Sequence, residues 1–493
     1  MRKINNIFIV WITITLIVGC ATGQKNRNVN HDSLEHIYSP AELRTDLEYL
    51  WETLHEVHPD LYALTDRDSL HTKFKRLYND LSEPMTRAKY FLKTAPLIAS
   101  INDGHTFLSV PVTARRIVEN ELVIFPFDLA FIEDTTYIMQ DYSRYRSPFI
   151  GAQLLAIDGV PIERIREEFI QIMNRETYSF TLQSLESDIF KILLWMKNPY
   201  QSTWDITYRL DGSDEVKTSS LAGLSGSDLV RTRVRLNEQS SSIFSLYFYE
   251  NERTAVLQLR TFQDIRTKSF YRTAFKEINK NNIENLVIDL RGNLGGYTSY
   301  VDELLSYLID EPILPMPKIQ IKLSQQLKER NKPALPRWLS WLHPKDSWRN
   351  THQEYWEQPD GKILNLYVNQ PIEPKPDHRR FHGDLYVLTN GHSFSTGAHF
   401  PSIVREYELG QILGNETGGL FGGSFGEHIM LELPQTGIPV GISTSILKHK
   451  EIPDFKSHGV IPDYYIHRDI DREIIGIDSQ LERTLQFISS SEE

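Results

Sequence analysis

The stretch that most constrains this chain runs from Thr389 to Gly397 and reads T-N-G-H-S-F-S-T-G. Four residues typical of a buried strand, Leu385 to Leu388, come directly before it, and a segment of helical character begins at Ala398. A strand, a tight polar turn and a helix in this order expose a hydroxyl at the edge of a sheet. The first N–H groups of the helix, which have no partner within it, then point toward the group that this hydroxyl attacks. The pattern predicts a nucleophile at Ser393 or Ser395, although a Ser/Gly-rich turn without chemistry fits the same letters.

A similar arrangement lies earlier in the chain. Leu286 to Leu290 is a continuous apolar strand with one carboxylate, and a strand at Ala255–Leu259 and a helical pattern at Lys268–Lys280 come before it. Strand, helix and buried strand favour a parallel crossover. The turn that follows, Gly292–Gly296, lacks the letters of a P-loop and the spacing of a dinucleotide site. Its paired glycines expose N–H groups that can hold an oxyanion, and a plain tight turn is the alternative.

The N-terminus has the features of a targeting segment. Arg2 and Lys3 precede an apolar run, Ile7–Val18, that is too short for a comfortable membrane span. The small residue before Cys20 makes the segment similar to the lipobox of a bacterial lipoprotein. That similarity implies removal of residues 1–19, a lipid on Cys20, and a place in the cell envelope on the periplasmic or surface side of a membrane. An ordinary signal peptide with an incidental cysteine is the alternative.

Composition excludes several kinds of site. Cys20 is the only cysteine, so the mature chain holds no internal disulfide, cysteine-rich zinc site or cysteine nucleophile. The formal net charge of -12 argues against nucleic acid as the main partner, because phosphate binding needs a basic surface.

The rest of the chain predicts an α+β multidomain protein. A hairpin at Gly151–Ile162 resembles the strand pair of a PDZ-like module, which binds peptides by strand addition, and an ordinary hairpin is the alternative. The insertion at about 315–381 is longer than a normal connection, which is typical of a lid, an accessory hairpin or a solvated arm. The predicted divisions are a tether at 20–38, an N-terminal helical domain at 39–110, a β-rich PDZ-like middle domain at 111–240, and an α/β catalytic domain at 241–493 that contains the insertion.

Five motifs in order carry a resemblance to a known family. They are D-G-H-T from Asp103, V-I-D-L-R-G-N-L-G-G from Val287, T-N-G-H-S-F-S-T-G from Thr389, G-N-E-T-G-G from Gly414 and G-V-I-P-D from Gly459. Together they resemble the C-terminal processing (tail-specific) and tricorn-type serine peptidases, from about Ser39 to Ile466 without the insertion. The resemblance implies a crotonase- or ClpP-like core, an extracytoplasmic enzyme that cleaves polypeptides, and no need for a metal or other cofactor.

Carried over by position, the resemblance places the nucleophile on Ser395 rather than Ser393. It implies an oxyanion hole made by the N–H of Thr396 and that of Gly295 or Gly296. The processing branch of the family activates its serine with a lysine soon after the G-E-x-T motif, and no lysine stands in that turn here. A serine without a base is a poor nucleophile at neutral pH, so another residue has to supply the base.

The tricorn branch takes its base from the N-terminal part, at the position of His105. A histidine suits this role because its ordinary pKa lies near neutral pH. The serine that precedes the histidine in that branch is Gly104 here. The residue that orients the base stays open, and the candidates are Asp454, Glu451 and Asp103. Lys448 and Lys450 are alternative bases.

The sequence therefore predicts a serine-type endopeptidase that forms an acyl-enzyme on Ser395 with His105 as general base, with C-terminal processing as one form of this activity. The alternative is a catalytically inactive, peptidase-like binding lipoprotein. The missing lysine and Gly104 favour that alternative. Oligomeric state and natural substrate stay open.

Overall fold

The computed structural model describes residues 35–111, 117, 122–143, 147–173, 175–235, 242–249, 253–316, 318–331, 357–368, 370–449 and 457–491. Cys20, Lys450, Glu451 and Asp454 lie outside these residues, so the predicted lipid anchor stays a prediction. Within the described ranges, no helix is both long enough and apolar enough to cross a membrane.

The described chain opens with three amphipathic helices, as the apolar spacing predicts. They are α1 Pro40–Val57, α2 Arg67–Asp80 and α3 Arg87–Ala99, and the short strands β1 Ile37–Tyr38 and β2 Met85–Thr86 pair beside them. Ser39 and Glu42 form a capping box at the start of α1, which satisfies two N–H groups at the helix end.

The middle of the chain forms an antiparallel sheet of order β10-β9-β7-β6-β5. Its strands are β5 Phe127–Ile132, β6 Thr135–Asp141, β7 Gln153–Ile157, β9 Thr203–Arg209 and β10 Val216–Ala222, and β8 Val160–Pro161 pairs with β7. Outside this sheet, β4 Val123–Ile124 and β11 Leu224–Ser225 pair with each other, and β3 Phe107–Leu108 joins a sheet described below. The helices are α4 Ile162–Met173, α5 Tyr178–Ser184, α6 Phe190–Lys197 and α7 Gly226–Arg235, with a π-helical turn at Leu185–Ile189. The predicted hairpin is β7 and β8, and its PDZ-like character stays a prediction.

One hydrophobic core joins the first three helices to this sheet. Leu47 and Phe91 of the helices belong to the same buried cluster as Phe127 and Ile206 of the strands. The helices and the sheet are therefore packed as one unit that supports the loop after α3.

The C-terminal half is built on a second sheet of order β12-β13-β14-β17-β18-β21. Its strands are β12 Phe244–Tyr249, β13 Thr254–Leu259, β14 Asn285–Asp289, β17 Asp384–Thr389, β18 Gln411–Gly414 and β21 Tyr464–Tyr465. The associated helices are α8 Thr267–Lys280, α9 Thr298–Leu305, α11 Thr396–Glu406, α12 Ile470–Glu473 and α13 Ser479–Ser491. From β13 onward every pairing in this sheet is parallel, so the predicted crossover through α8 is confirmed.

Parallel pairing of β14 with β17 brings the two motif turns together. Asp289 pairs with Leu388, so both strands end at the same edge of the sheet. Functional groups of open parallel sheets lie outside the carboxyl ends of the strands, which is where both turns lie. The chain is thus a mixed α+β protein.

A third sheet of order β16-β15-β20-β19 connects the halves. It contains β15 Lys318–Lys322, β16 Ile363–Tyr367, β19 Gly423–Glu432 and β20 Pro439–Lys448, and the insertion also contributes the helix α10 Gln325–Arg330 and a 3-10 turn at Asp377–Arg379. Strand β3 pairs with β20 at Gly441 and Val440. This pairing carries the D-G-H-T segment from the N-terminal half to the edge of the C-terminal sheet.

Candidate active site

Ser395 and His105 meet in one hydrogen bond. Their Oγ and Nε2 atoms are 3.0 Å apart, although 290 residues separate them in the chain. Ser395 lies between the end of β17 and the start of α11, and His105 lies between α3 and β3. A hydroxyl within hydrogen-bonding reach of an imidazole is the geometry that a serine nucleophile and its general base require.

The backbone of Ser395 is strained. Its φ of 52° and ψ of -124° lie in a region that residues with a side chain rarely adopt. Such a conformation costs about 1–3 kcal/mol and persists where the surroundings enforce it. Tight packing enforces it here, because a Cβ added at Gly397 would lie 2.1 Å from the carbonyl oxygen of Asn293. The strain turns the Ser395 hydroxyl toward His105 rather than into a helix cap.

Ser393 has a different environment. It is fully buried, its Oγ donates to the carbonyl of Leu290 at 2.9 Å, and it accepts from the N–H of Asn390 at 3.1 Å. The carbonyl of Ser393 also accepts from the N–H of Gly418 at 2.9 Å. Ser393 therefore ties neighbouring turns together, whereas the Ser395 hydroxyl contacts the imidazole.

Two of the three predicted oxyanion donors are free of protein acceptors. The N–H of Gly295 donates to Asn293 Oδ1 at 2.9 Å, so this group is already engaged. Among the hydrogen bonds of the described residues, neither the N–H of Gly296 nor that of Thr396 has a partner. Thr396 Oγ1 donates to the carbonyl of Gly296 at 2.8 Å and ties the two peptides together. Gly296 is thus the better candidate of the glycine pair, and Thr396 lies beside it.

Gly295 is needed for the space it leaves. Its φ is 98°, and an added Cβ would lie 2.8 Å from the backbone nitrogen of Thr396. We expect Gly295→Ala to displace the N–H of Thr396 and so to lower kcat about 10²–10³-fold, the usual effect of losing one oxyanion donor. Peptidase kinetics on an unfolded protein substrate measure this. Gly292→Ala is the matched control, since Gly292 also has a positive φ, 74°, but open space around its Cα. Equal losses of kcat in Gly295→Ala and Gly292→Ala would show that the effect comes from backbone strain alone.

Glu176 is a member of the site that sequence reasoning missed. Its Oε1 lies 3.6 Å from His105 Nδ1, and its side chain is completely buried. Oε1 accepts from the N–H of Gly104 at 3.3 Å and Oε2 from that of Leu420 at 3.2 Å. Burial raises the pKa of Glu176, and the hydrogen bond and charge of His105 oppose that rise. No motif surrounds Glu176, so only the tertiary structure brings it to the base.

Asp103 lies beside the base but contacts its backbone. Oδ1 accepts from the N–H of His105 at 2.8 Å and is 3.8 Å from Nδ1. Oδ2 accepts from Thr106 at 2.6 Å, from Ser443 at 2.5 Å and contacts His58 Nε2 at 3.1 Å. Burial disfavours the charged form, but the hydrogen bond and charge of His58 and the charge of His105 outweigh it and hold the pKa of Asp103 well below its usual range. Asp103 therefore fixes the loop that carries His105.

Gly104 has a packing explanation. An added Cβ would come within 2.6 Å of the Phe394 ring and 3.3 Å of Glu176 Oε1. The Phe394 ring stacks on His105 with centroids 4.8 Å apart. A serine at position 104 has no room beside this stack. The glycine that departs from the tricorn-type pattern is thus a requirement of this particular site.

The remaining predicted residues fall in two groups. Glu451, Asp454 and Lys450 lie outside the described residues, so their roles stay predictions. Lys448 ends β20, where it is paired with Gly423 of β19 and with Lys318 of β15.

One group of the described residues has the composition of a cation site. Ligand atoms of Asp103, His105 and Glu176 lie within 4.8 Å of one another. Both carboxylates already accept hydrogen bonds through each oxygen. These occupied oxygens fit the stabilisation of a charged imidazole better than the coordination of a metal ion.

This chain resembles known proteins in part of its sequence and in its fold. Residues 253–466 match the model of Peptidase family S41. Mature CPAF matches with a TM-score of 0.64 and 15% identity over 91% of this chain and 96% of that chain. Mature CPAF complexed with lactacystin matches with a TM-score of 0.65 and 16% identity over 92% and 97%. At these identities the likeness is one of fold.

One further solved structure matches with a lower TM-score, and the curated proteins give no match. The photosystem II D1 C-terminal processing protease matches with a TM-score of 0.41 and 14% identity over 90% of this chain and 96% of its own. Among the curated proteins, none matches this chain.

Proposed function

We propose that this chain is a serine endopeptidase acting through an acyl-enzyme on Ser395, a proposal supported by the match of residues 253–466 to the model of Peptidase family S41. The observation that carries the proposal is the 3.0 Å hydrogen bond between Ser395 Oγ and His105 Nε2. The substrate of a peptidase is a polypeptide, and cleavage near its C-terminus is the finer form of the proposal.

In the proposed first step, His105 Nε2 takes the proton of Ser395 as Oγ attacks the peptide carbonyl. The N–H groups of Thr396 and Gly296 stabilise the oxyanion that forms. His105 then gives its proton to the leaving amine, and the C–N bond breaks. A water molecule, deprotonated by the same imidazole, attacks the acyl-enzyme, and the ester C–O bond to Ser395 breaks as the imidazolium returns its proton to Oγ. His105 thus replaces the lysine that the processing branch uses.

Glu176 is proposed as the acid that orients the base. His105 Nδ1 is buried and makes no hydrogen bond within the described structure, and Glu176 Oε1 lies nearest among the described carboxylates. An ionised carboxylate there stabilises the imidazolium of the transition state and selects the tautomer that leaves Nε2 free to accept. Asp103 has the supporting role, because its oxygens are taken by the loop backbone and by hydroxyl groups.

We expect Glu176→Gln to lower kcat about 10²–10⁴-fold. The amide of glutamine carries no negative charge to stabilise the imidazolium, and it does not select the tautomer of His105. The wild type should lose activity as pH falls through the raised pKa of Glu176, because protonation removes the charge that the imidazolium needs. In the pH–rate profile of Glu176→Gln, the fall in activity that Glu176 causes on the acidic side should be absent. Glu186→Gln is the control, because Glu186 also has a pKa raised by burial and accepts from the N–H of Phe131. A Glu176→Gln profile like that of the wild type would assign the orienting role elsewhere.

A fluorophosphonate probe tests the proposed function directly. Such a probe phosphonylates a serine that a neighbouring base activates. We expect the wild type to be labelled on one peptide, and mass spectrometry to place the label on Ser395. A wild type that stays unlabelled and cleaves no unfolded protein would establish the alternative, an inactive binding protein on a peptidase scaffold.

A further inference from the structure

The insertion, residues 315–381, contacts the histidine-bearing side of the site through two basic residues. Lys322 of β15 donates from Nζ to the carbonyl oxygens of His55 at 2.6 Å and His58 at 3.0 Å. Arg330 of α10 donates from Nη1 to the carbonyl oxygen of His428 at 2.7 Å. Neither cation reaches the candidate catalytic groups itself, so any effect on them passes through the histidines.

The first path runs through His58. The His58 side chain is almost fully buried, and its Nε2 lies 3.1 Å from Asp103 Oδ2. Asp103 in turn accepts from the N–H of His105. Helix α1 ends at Val57, so its last carbonyls lack partners within the helix and carry the negative end of its dipole. The Lys322 ammonium satisfies these carbonyls and fixes His58, and burial lowers the pKa of Lys322.

The second path runs through His428. His428 of β19 pairs with Ser443 of β20, so their side chains share one face of the sheet. Ser443 Oγ donates to Asp103 on that face. The His428 ring lies 6.4 Å from the His105 ring. The position of His428 beside the base therefore depends on the position of its own strand.

The strand that carries His428 is distorted at the residue before it. Glu427, next to His428, has a φ of 39°, which is unfavourable for a residue with a side chain. The backbone pairing of β19 with β20 continues in the same register on either side of Glu427, and at Glu427 the Thr444 hydroxyl of β20 donates to its carbonyl instead. The Arg330 guanidinium binds the carbonyl directly after this distortion. The insertion thus contributes a contact at the distorted part of the strand.

We propose that Lys322 and Arg330 are positioning residues, through which the insertion holds His58 and His428 against the Asp103–His105 pair. This inference rests on the proposed function, in which His105 is the base. It assigns the insertion a part in catalysis, as a support for the geometry of the base. A small displacement of a positioned base is enough to lower the rate of the chemical step strongly.

The test compares Lys322→Met and Arg330→Met with Lys328→Met. Lys328 lies on the same short helix as Arg330, but its Nζ donates to the carbonyl of Gln358 at 2.6 Å and pairs with Asp360, both within the insertion. We expect the first two variants to lower kcat about tenfold to hundredfold with little change in KM, and Lys328→Met to match the wild type. Lys322→Arg and Arg330→Lys should restore most of the activity, since each keeps a cationic donor.

A second measurement does not depend on catalysis. Histidine hydrogen–deuterium exchange, read by mass spectrometry, reports how accessible each imidazole is and where it titrates. We expect faster exchange at His58 in Lys322→Met and at His428 in Arg330→Met, and no change at either in Lys328→Met. Unchanged exchange in all three variants would overturn the inference, as would faster exchange with an unaltered kcat. A wild type without peptidase activity would defeat the proposed function, and the exchange would then decide whether the insertion holds these histidines.

Discussion

Ser395→Ala is expected to lower kcat by on the order of 10⁵–10⁶-fold, because removal of the nucleophile of a serine peptidase leaves only the oxyanion donors and binding. KM should change little, since the hydroxyl hydrogen-bonds to the imidazole and takes part in the chemical step. Rates on a quenched unfolded substrate, together with loss of fluorophosphonate labelling, measure the effect. Ser393→Ala should keep the label, because the Ser393 hydroxyl is bonded to Leu290 and Asn390.

The strained backbone sharpens this prediction. Ser395 has a positive φ, which glycine adopts without a steric cost. Ser395→Gly should therefore be as inactive as Ser395→Ala but more stable by about 1 kcal/mol, measured as free energy of unfolding. Ser393→Ala should instead be less stable than the wild type by about 1–3 kcal/mol, because the buried carbonyl of Leu290 and the partly buried N–H of Asn390 lose their partner. Labelling lost in Ser393→Ala and kept in Ser395→Ala would reverse the assignment of the nucleophile.

Local patterns predicted the parts of the fold that depend on local order. The apolar spacing predicted α1, and the alternation of buried strand and helix predicted β13, α8 and β14 with their parallel pairing. Parallel pairing then places the turns after β14 and β17 at one sheet edge, whatever their separation in the chain. The two motif turns were therefore predictable as neighbours.

Contacts between segments that lie far apart in the chain could not be predicted from local sequence patterns. Glu176 reaches His105 because the loop between α4 and α5 is folded against the Leu420 turn, and nothing around Glu176 marks it. The need for glycine at position 104 depends on where the Phe394 ring packs. The engaged N–H of Gly295 depends on the amide of Asn293. Each of these facts follows from side-chain contacts between distant segments, and a single sequence carries no record of such contacts.

His105→Ala is the second large effect expected, a loss in kcat on the order of 10⁴–10⁶-fold, since nucleophile and base act as a unit. His428, whose ring lies 6.4 Å from the His105 ring, is a poor substitute, because burial, the largest cause of its lowered pKa, persists in the variant and leaves it a weak base. The residual rate should rise steeply with pH as hydroxide takes over the role of the base. Initial rates across a pH series measure both the loss and this dependence.

Lys448 and Lys450, the alternative general bases, are the controls for this experiment. Lys448→Ala and Lys450→Ala should keep most of the activity and of the fluorophosphonate labelling, because the hydrogen bond to the Ser395 hydroxyl comes from His105. A loss in either lysine variant equal to that of His105→Ala would move the general base to the lysine. A loss in His105→Ala alone would establish that the N-terminal half supplies the base to a nucleophile in the C-terminal half. The pairing of β3 with β20 would then be part of the catalytic apparatus, because it holds the His105 segment at the sheet edge where Ser395 lies.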